Sequence, residues 1–537
     1  MSTIVIRADA SLLIGSGHVI RCRTLARELS RRGAEVTFVC RQQPGDLIQL
    51  LEREFPVLAL PELPEPATEL DESFSLNNRG LYASWLGCNQ VDDAVDFLQA
   101  LHLAGIDDAS WLVVDHYGLD AVWETKVLDG FSGDQKPKLL VIDDLADRSH
   151  QADCLLDQNF FGLATESRYA GLVPKHCRQL LGPHYALLGP EYVQLHQLVP
   201  PRTELLRVLV FFGGVDPDNL TGRALEALMD PALAHLRVDV VLGLQSPHRQ
   251  AVAELVNRRS FTTLHDPLPS LAGLIARADL AIGAGGATTW ERSCFGLPSM
   301  VVSIADNQLP FAQALHQEGL IEFLGHVDEV TTEGLVAALK TAKESLLSLG
   351  HSDRLTDGWG TSRLATVLLG PLRPLSLRRT VAFDEGLLLR WANDPTVRSQ
   401  SFSSQLISAE DHHRWFSMGL QSCDRLHWIL CDASGSPLGQ IRFDRDEEDD
   451  LTKPHEALIS LSMDRCARGW GLAKILVSMG LDDLQCQWGE DLEVVAFVLE
   501  GNQASQATFA RLGFTREPSS LSKSQEPEKT CWRWVPN

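Results

Sequence analysis

His18 follows Gly15 and Gly17 in the stretch 7–26, RADASLLIGSGHVIRCRTLA. Before it runs an apolar strand pattern (Ile4, Val5, Ile6), and after it a helical face continues through Leu25 and Leu29. Glycine between a strand and a helix lets the backbone turn tightly and lets a ligand come close. The helix start offers unpaired N–H groups and partial positive charge to an anion. An imidazole there changes charge near neutral pH, so this spacing permits a base beside a bound phosphate. Spacing alone favours an ordinary strand–helix turn, because the third glycine of the dinucleotide fingerprint is missing.

Other polar groups sit where strands end. Asp115-His116-Tyr117-Gly118-Leu119-Asp120 follows WLVVD, and Asp143-Asp144-Leu145-Ala146-Asp147-Arg148 follows KLLVI. Such ends are where open α/β sheets place ligands, although an Asp after a strand also caps the next helix. Asp157-Gln158-Asn159 carries no role that spacing assigns. Further on, VLVFFGGVDPDN brings Gly213 and Gly214 before Asp216, Asp218 and Asn219. That order reads as backbone amides around a diphosphate, or as a turn with an Asx cap. In GAGGATTWERSCFGLPS (283–299), Gly285 and Gly286 open a loop, Thr288 or Thr289 is placed to cap a helix, and Glu291 stands in its first turn. Asp306, Asn307 and Gln308 follow the next strand and would line the same cleft.

A third chemistry-bearing stretch, Arg465-Cys466-Ala467-Arg468-Gly469-Trp470-Gly471-Leu472-Ala473, lies between a strand and a helix. Successive amides and a helix dipole there would suit a pyrophosphate. Downstream, VVAFVLE ends in Asn502, Ser505 follows, and ARLGF closes the next helix.

The elements that must position these groups come in two styles. Strand patterns at 3–7, 35–40, 111–115, 138–142, 239–243 and 279–283 alternate with helical patterns, the rhythm of parallel sheets covered on both faces. Residues 60–80, polar and Pro-containing, read as a surface excursion, and PLRPLSLRR (371–379) as a linker. Beyond it, strand patterns at 427–432, 437–444 and 457–464 precede a helix, which is α+β order. Domains at 1–200, 201–370 and 371–537 follow, consistent with 537 residues being too many for one core.

The net charge of −24 leaves no basic excess for nucleic acid. Eleven scattered cysteines without a C-x-x-C pair suit reduced thiols, and no apolar run reaches membrane length. A cytoplasmic protein without metal, nucleic-acid or membrane partners is expected.

The string RADAS…IGxGHVIRCxTLA resembles the N-terminal signature of the UDP-sugar hydrolase family of pseudaminic acid biosynthesis, which removes UDP from a UDP-2,4-diacetamido-2,4,6-trideoxy sugar. Trp85-Leu86-Gly87, Asp92-Asp93-Ala94, the D-H-Y-G-L-D string and Asp357-Gly358-Trp359-Gly360 before Arg363 extend that resemblance over about 3–370. It implies that His18 is catalytic with Asp115 and Tyr117 beside the sugar, and that Arg7, Asp9, Gly15, Gly17 and Arg21 serve the substrate. The G-G-x-T-x-W-E string resembles the donor site of two-Rossmann-domain (GT-B-like) glycosyltransferases. That implies Gly213, Gly214, Gly285, Gly286, Thr288, Glu291 and Asn307 around UDP, Glu291 on the ribose.

In the last domain, Arg468-x-x-Gly471-x-Ala473 and the N-x-x-S…L-G-F run resemble the Gcn5-related N-acetyltransferases. LLLRWANDPTVR (387–398) resembles the subgroup acting on amino sugars or protein N-termini. This implies acetyl-CoA at Arg468, Gly469, Gly471, Leu472, Ala473, Asn502 and Ser505. Many members protonate the departing thiolate with a tyrosine. Here Phe509 stands in that neighbourhood and all five tyrosines precede residue 200. Glu456 and His427 are candidate bases. The resemblances together imply a bifunctional enzyme that N-acetylates a UDP-4-amino sugar and hydrolyses the diacetamido product. The alternative is a UDP-sugar glycosyltransferase carrying a CoA-binding or substrate-docking domain.

Overall fold

The computed structural model describes residues 2–63, 79–131, 136–244, 246–349, 354–445, 456–489, 492–517 and 529–536. Most of the expected surface excursion, 64–78, lies outside the described residues. The chain forms two compact units, Met1–Ser362 and Arg363–Asn537, and the division falls inside the helix Gly360–Leu369.

The first unit holds two parallel sheets. Strands β1 (Thr3–Ala8), β2 (Glu35–Arg41), β3 (Val57–Leu60), β4 (Trp111–Asp115), β5 (Lys138–Ile142), β6 (Cys154–Asp157) and β7 (Arg178–Leu181) run in the order β3-β2-β1-β4-β5-β6-β7. Strands β8 (Arg207–Phe211), β9 (Arg237–Val241), β10 (Thr262–His265), β11 (Leu280–Ala284), β12 (Ser299–Ser303) and β13 (Glu322–His326) run in the order β10-β9-β8-β11-β12-β13. Both are doubly wound, Rossmann-like sheets. Their inner strands are buried on both faces, as the unbroken runs IVI and VLV require. The order reverses between β1 and β4, and again between β8 and β11, so crevices open at the ends of those strands. The loops carrying His18, Asp115, Gly213 and Gly285 leave from those ends.

The second unit is α+β. Strands β14 (Ser376–Arg379), β15 (Arg425–Cys431), β16 (Pro437–Arg445), β17 (Glu456–Met463), β18 (Glu493–Leu499), β19 (Thr515–Arg516) and β20 (Lys529–Trp534) form one sheet in the order β14-β15-β16-β17-β18-β20-β19. Half of the expected linker is therefore structure. Ser376–Arg379 pairs antiparallel with Trp428–Cys431 as an edge strand, and Arg378 ion-pairs with Asp384 at 2.7 Å. Two prolines and a basic run hid that strand, because edge positions tolerate both.

β17 and β18 are the parallel pair, and they pair only at Glu456–Leu458 against Glu493–Val495. Both strands run on, to Met463 and Leu499, without pairing to one another. The sheet thus opens between them. The helix Leu472–Trp488 packs on the face bearing Ile441 and Phe443, where Gly480 lets it lie close.

Candidate active site

The helix Gly17–Arg31 starts directly after the loop from β1, which Gly15 turns at φ +79°. A Cβ on Gly15 or Gly17 would meet nothing within 4 Å, so the loop's outer side is open. His18, nearly buried, directs Nδ1 to Asp115 Oδ1 at 2.6 Å. Asp115 terminates β4 and is fully buried. Arg21, one helical turn after His18, donates to both oxygens of Asp115 at 2.6 Å and to Asp144 Oδ2 at 2.6 Å. Despite burial, the Arg21 and His18 neighbours hold the Asp115 carboxyl far below the ordinary range, so it is a carboxylate. A carboxylate on Nδ1 fixes the imidazole with its lone pair on Nε2.

Around this pair stands an aromatic wall. Tyr117 meets the His18 ring edge to face at 4.5 Å, Trp85 stacks with Tyr117 at 5.6 Å, and Tyr82 lies 5.2 Å from Tyr117. The Tyr117 hydroxyl donates to Asp144 Oδ2 at 2.7 Å, and Asn307 of the second sheet lies 3.4 Å from it. Burial and Asp144 push the Tyr117 phenol well up, so it remains a neutral donor. Asp144, just past the end of β5, is thus the bridge between Arg21 and Tyr117. Its only sequence signal was its place at the end of β5. Tyr82 carried no signal, because it reaches the site from the helix Arg79–Leu86.

Arg7 and Asp9 stand elsewhere than expected. Both are completely buried, paired with each other, and Arg7 also pairs with Asp93 at 2.9 Å. Arg41 and the Trp123 indole close on the same Asp93 at 2.7 and 2.9 Å. A guanidinium saturated by two carboxylates inside the sheet cannot meet a substrate. This network ties β1, β2 and the helix Gln90–Leu103 behind the loop.

In the second sheet, Gly213 adopts φ +104°, and a Cβ on Gly213 or Gly214 would meet nothing within 4 Å. The following helix start is self-capped: Asp216 accepts from Leu220 and Thr221 at 2.9 Å, and Asn219 from Gly222 at 3.2 Å. The Asx cap is therefore real, and it occupies the amides of Leu220, Thr221 and Gly222. Gly285 is a correction: its amide donates to Val302 O at 3.0 Å, so the sheet consumes it. Thr288 begins the helix Thr288–Cys294 instead of capping it, the cap position being Ala287. Glu291 lies in that first turn with Oε2 buried and without a partner among the described residues, and burial raises its carboxyl above the usual value despite a hydrogen bond from Tyr192.

In the second unit, Gly469 and Gly471 hold φ +87° and +70°, and no side chain caps the helix that starts at Leu472 and continues through Ala473. Arg468 corrects the expectation: its guanidinium pairs with Asp394 at 2.8 Å and with Met463 O at 3.2 Å. Asn502 caps the helix Gln503–Arg511 by accepting from Ser505 N at 3.1 Å, which gives the N-x-x-S spacing a structural role. Phe509 is buried against Phe514, so a phenyl ring fills the expected tyrosine neighbourhood. Glu456 is bound to Arg533 at 2.6 Å, at the paired end of β17 and away from the opening. His427 contacts Gln440 at 2.8 Å, and burial with two nearby arginines lowers it to about 4.

Known proteins resemble large parts of the chain. Residues 374–515 match the family "Acetyltransferase (GNAT) domain". Over 367 residues the chain is 26% identical to the spore coat polysaccharide biosynthesis protein SpsG of Bacillus subtilis, 67% of this chain and 96% of that protein. It is 28% identical over 218 residues to the UDP-2,4-diacetamido-2,4,6-trideoxy-beta-L-altropyranose hydrolase of Campylobacter jejuni, 41% of this chain and 62% of that one. A third relative, the uncharacterized protein MJ1062 of Methanocaldococcus jannaschii, is 20% identical over 444 residues, 80% of each chain. The chain is a fusion: two Rossmann-like domains similar to a nucleotide-sugar hydrolase, followed by a GNAT acetyltransferase domain. Among the described residues no helix is long and apolar enough to cross a membrane.

Proposed function

We propose that the chain is a bifunctional enzyme of pseudaminic acid biosynthesis. Its GNAT domain acetylates the 4-amino group of a UDP-amino sugar with acetyl-CoA, and its Rossmann-like pair hydrolyses the resulting UDP-diacetamido sugar. The observation that carries the hydrolytic half is the His18–Asp115 pair at 2.6 Å, set at a glycine-turned helix start beside an aromatic wall. His18 Nε2 takes a proton from water as the water oxygen bonds to the anomeric carbon. The bond from that carbon to the phosphate oxygen breaks, and UDP leaves. Amides near Gly213, Gly214 and Gly286 receive the diphosphate, Glu291 the ribose, and Tyr117 with Asn307 the sugar. The relative named as a UDP-sugar hydrolase supports this reading.

In the second unit, the amides of Gly469 to Ala473 hold the pyrophosphate of acetyl-CoA, whose acyl end enters the opening between β17 and β18. The substrate amine bonds to the acetyl carbonyl carbon, the thioester C–S bond breaks, and the amine proton is passed on while CoA leaves as the thiol. With Phe509 in place of a tyrosine, Ser505 or water protonates the sulfur.

Mass spectrometry of the purified chain with the UDP-4-amino sugar tests both halves. A gain of one acetyl group only with acetyl-CoA, followed by UDP release, is expected. UDP release without acetylation removes the acetyltransferase half, and acetylation without release removes the role of His18.

A further inference from the structure

One face of the second unit's sheet carries a cationic shelf that the reactions above do not use. Arg425 on β15 and Arg442 on β16 share one carboxylate, Asp444, which accepts the Nε of each at 2.5 and 2.6 Å. Holding both guanidiniums by Nε leaves their terminal nitrogens without a partner among the described residues. Both guanidiniums also lie against the Trp415 ring, at 4.8 and 4.9 Å from its centre. Trp415 comes from the helix Ala409–Gln421, and its ring also meets His427 at 6.4 Å. Burial beside the two arginines keeps His427 neutral, so among the described residues these contacts set two cations against one carboxylate. Each of these side chains is only partly buried. Paired guanidiniums presenting free terminal nitrogens beside an indole suit a diphosphate with a ring attached.

The register places this shelf next to the acetyl-transfer opening. Arg442 stands opposite Ser460 on β17, the strand that borders the opening, and His427 opposite Arg442 one strand further out. Two strand spacings are roughly 10 Å. That reach is comparable with a pyranose ring carrying its amine at one end and its anomeric phosphate at the other.

We propose that Arg425, Arg442 and Trp415 form the acceptor's diphosphate subsite, so that this domain selects amines carried on a nucleoside diphosphate. The inference rests on the acetyl-transfer reading given above.

Steady-state acetylation by the full chain tests it, with the UDP-4-amino sugar and the same amino sugar lacking UDP as acceptors. Arg442→Gln is expected to raise KM for the UDP-linked amine about tenfold or more. KM for acetyl-CoA and turnover of the UDP-free amine stay within twofold. Arg442→Lys gives an intermediate rise, and Arg425→Gln repeats the effect. Pyrophosphate and UDP both compete with the UDP-linked amine in the wild type. UDP competing more tightly places the base on Trp415, and equal competition confines the subsite to phosphate recognition. Unchanged KM in Arg442→Gln and Arg425→Gln overturns the proposal, as does an equal rise for both acceptors. If the wild type acetylates neither amine, the acetyl-transfer reading has failed instead. Calorimetry then decides the shelf: one UDP fewer per chain in Arg442→Gln sustains it, and unchanged stoichiometry overturns it.

Discussion

Asp115 and His18 are 97 positions apart in sequence, and their side chains meet at 2.6 Å, Oδ1 to Nδ1. The contact fixes which nitrogen of the ring is basic, because a carboxylate beside Nδ1 keeps the proton there. Replacing His18 by Asn removes the base and keeps a polar group of similar size. Release of UDP should fall by about 10²–10⁴ in kcat. Asp115→Asn should lower kcat by roughly 10²-fold or more, because an amide no longer enforces the tautomer. Binding of UDP, measured by calorimetry, should hold in both variants. A His18→Asn enzyme with wild-type kcat would remove the base.

Asp157, at the end of β6, gives the first unit a pH-dependent stability. It is almost fully buried near Asp144 and Asp143, and burial with those carboxylates pushes its carboxyl up to about 8. A carboxyl with a raised folded pKa contributes stability that is complete below its unfolded value near 4 and is lost as pH climbs through 8. Between pH 6 and 9 the wild type should lose about 1 kcal/mol or more. Asp157→Asn, which cannot ionise, should be flat over that window. Urea midpoints at pH 6 and pH 9 measure the difference, and parallel losses in both proteins would show that Asp157 is not the group.

The sites were legible where a side chain's position follows from its own strand end. The strand-end positions of His18, Asp115 and Tyr117 could be counted because β1 and β4 are unbroken apolar runs, whereas their roles came from the family resemblance. Tyr82 and Trp85 reach the same place from a separate helix, and only tertiary packing brings them there. The sequence also could not separate contact from support. Arg7 and Asp9 lie in the same motif as His18, yet both are completely buried, Arg7 in β1 and Asp9 just past its end. Glycine motifs suffered a related ambiguity: Gly285 and Gly286 look alike, and strand pairing takes the amide of Gly285 alone. Ser376–Arg379 was missed because an edge strand needs no apolar alternation when a single neighbour holds it.

Glu291 offers a separation of binding from stability. Its carboxyl is raised by burial, and its Oε2 has no partner among the described residues, so the charged form destabilises the free protein. Glu291→Gln should weaken UDP binding about tenfold or more, the loss expected for a charged hydrogen bond to ribose. The same variant should melt no lower than the wild type at pH 8, since burial disfavours the carboxylate that the amide replaces. Weaker UDP binding together with a several-degree drop in Tm would make Glu291 a structural residue.

The start of the second unit sets where an independently folding acetyltransferase must be cut. Arg363 is completely buried and faces Asp464 at 3.5 Å, and Asp464 also accepts the Trp391 indole N–H at 2.7 Å. A fragment beginning at residue 371 keeps Asp464 buried and removes the guanidinium. Breaking one partner from a buried pair costs about 3–5 kcal/mol. In a domain of this size that corresponds to a drop in Tm of roughly 6–20 °C. A fragment beginning at 380 further loses β14 and the Arg378–Asp384 pair, and should be the least stable. Thermal melts of fragments 363–537, 371–537 and 380–537 are expected to fall in that order. Equal melting of the first two would show that Arg363 contributes nothing to the domain, and that its burial beside Asp464 is incidental.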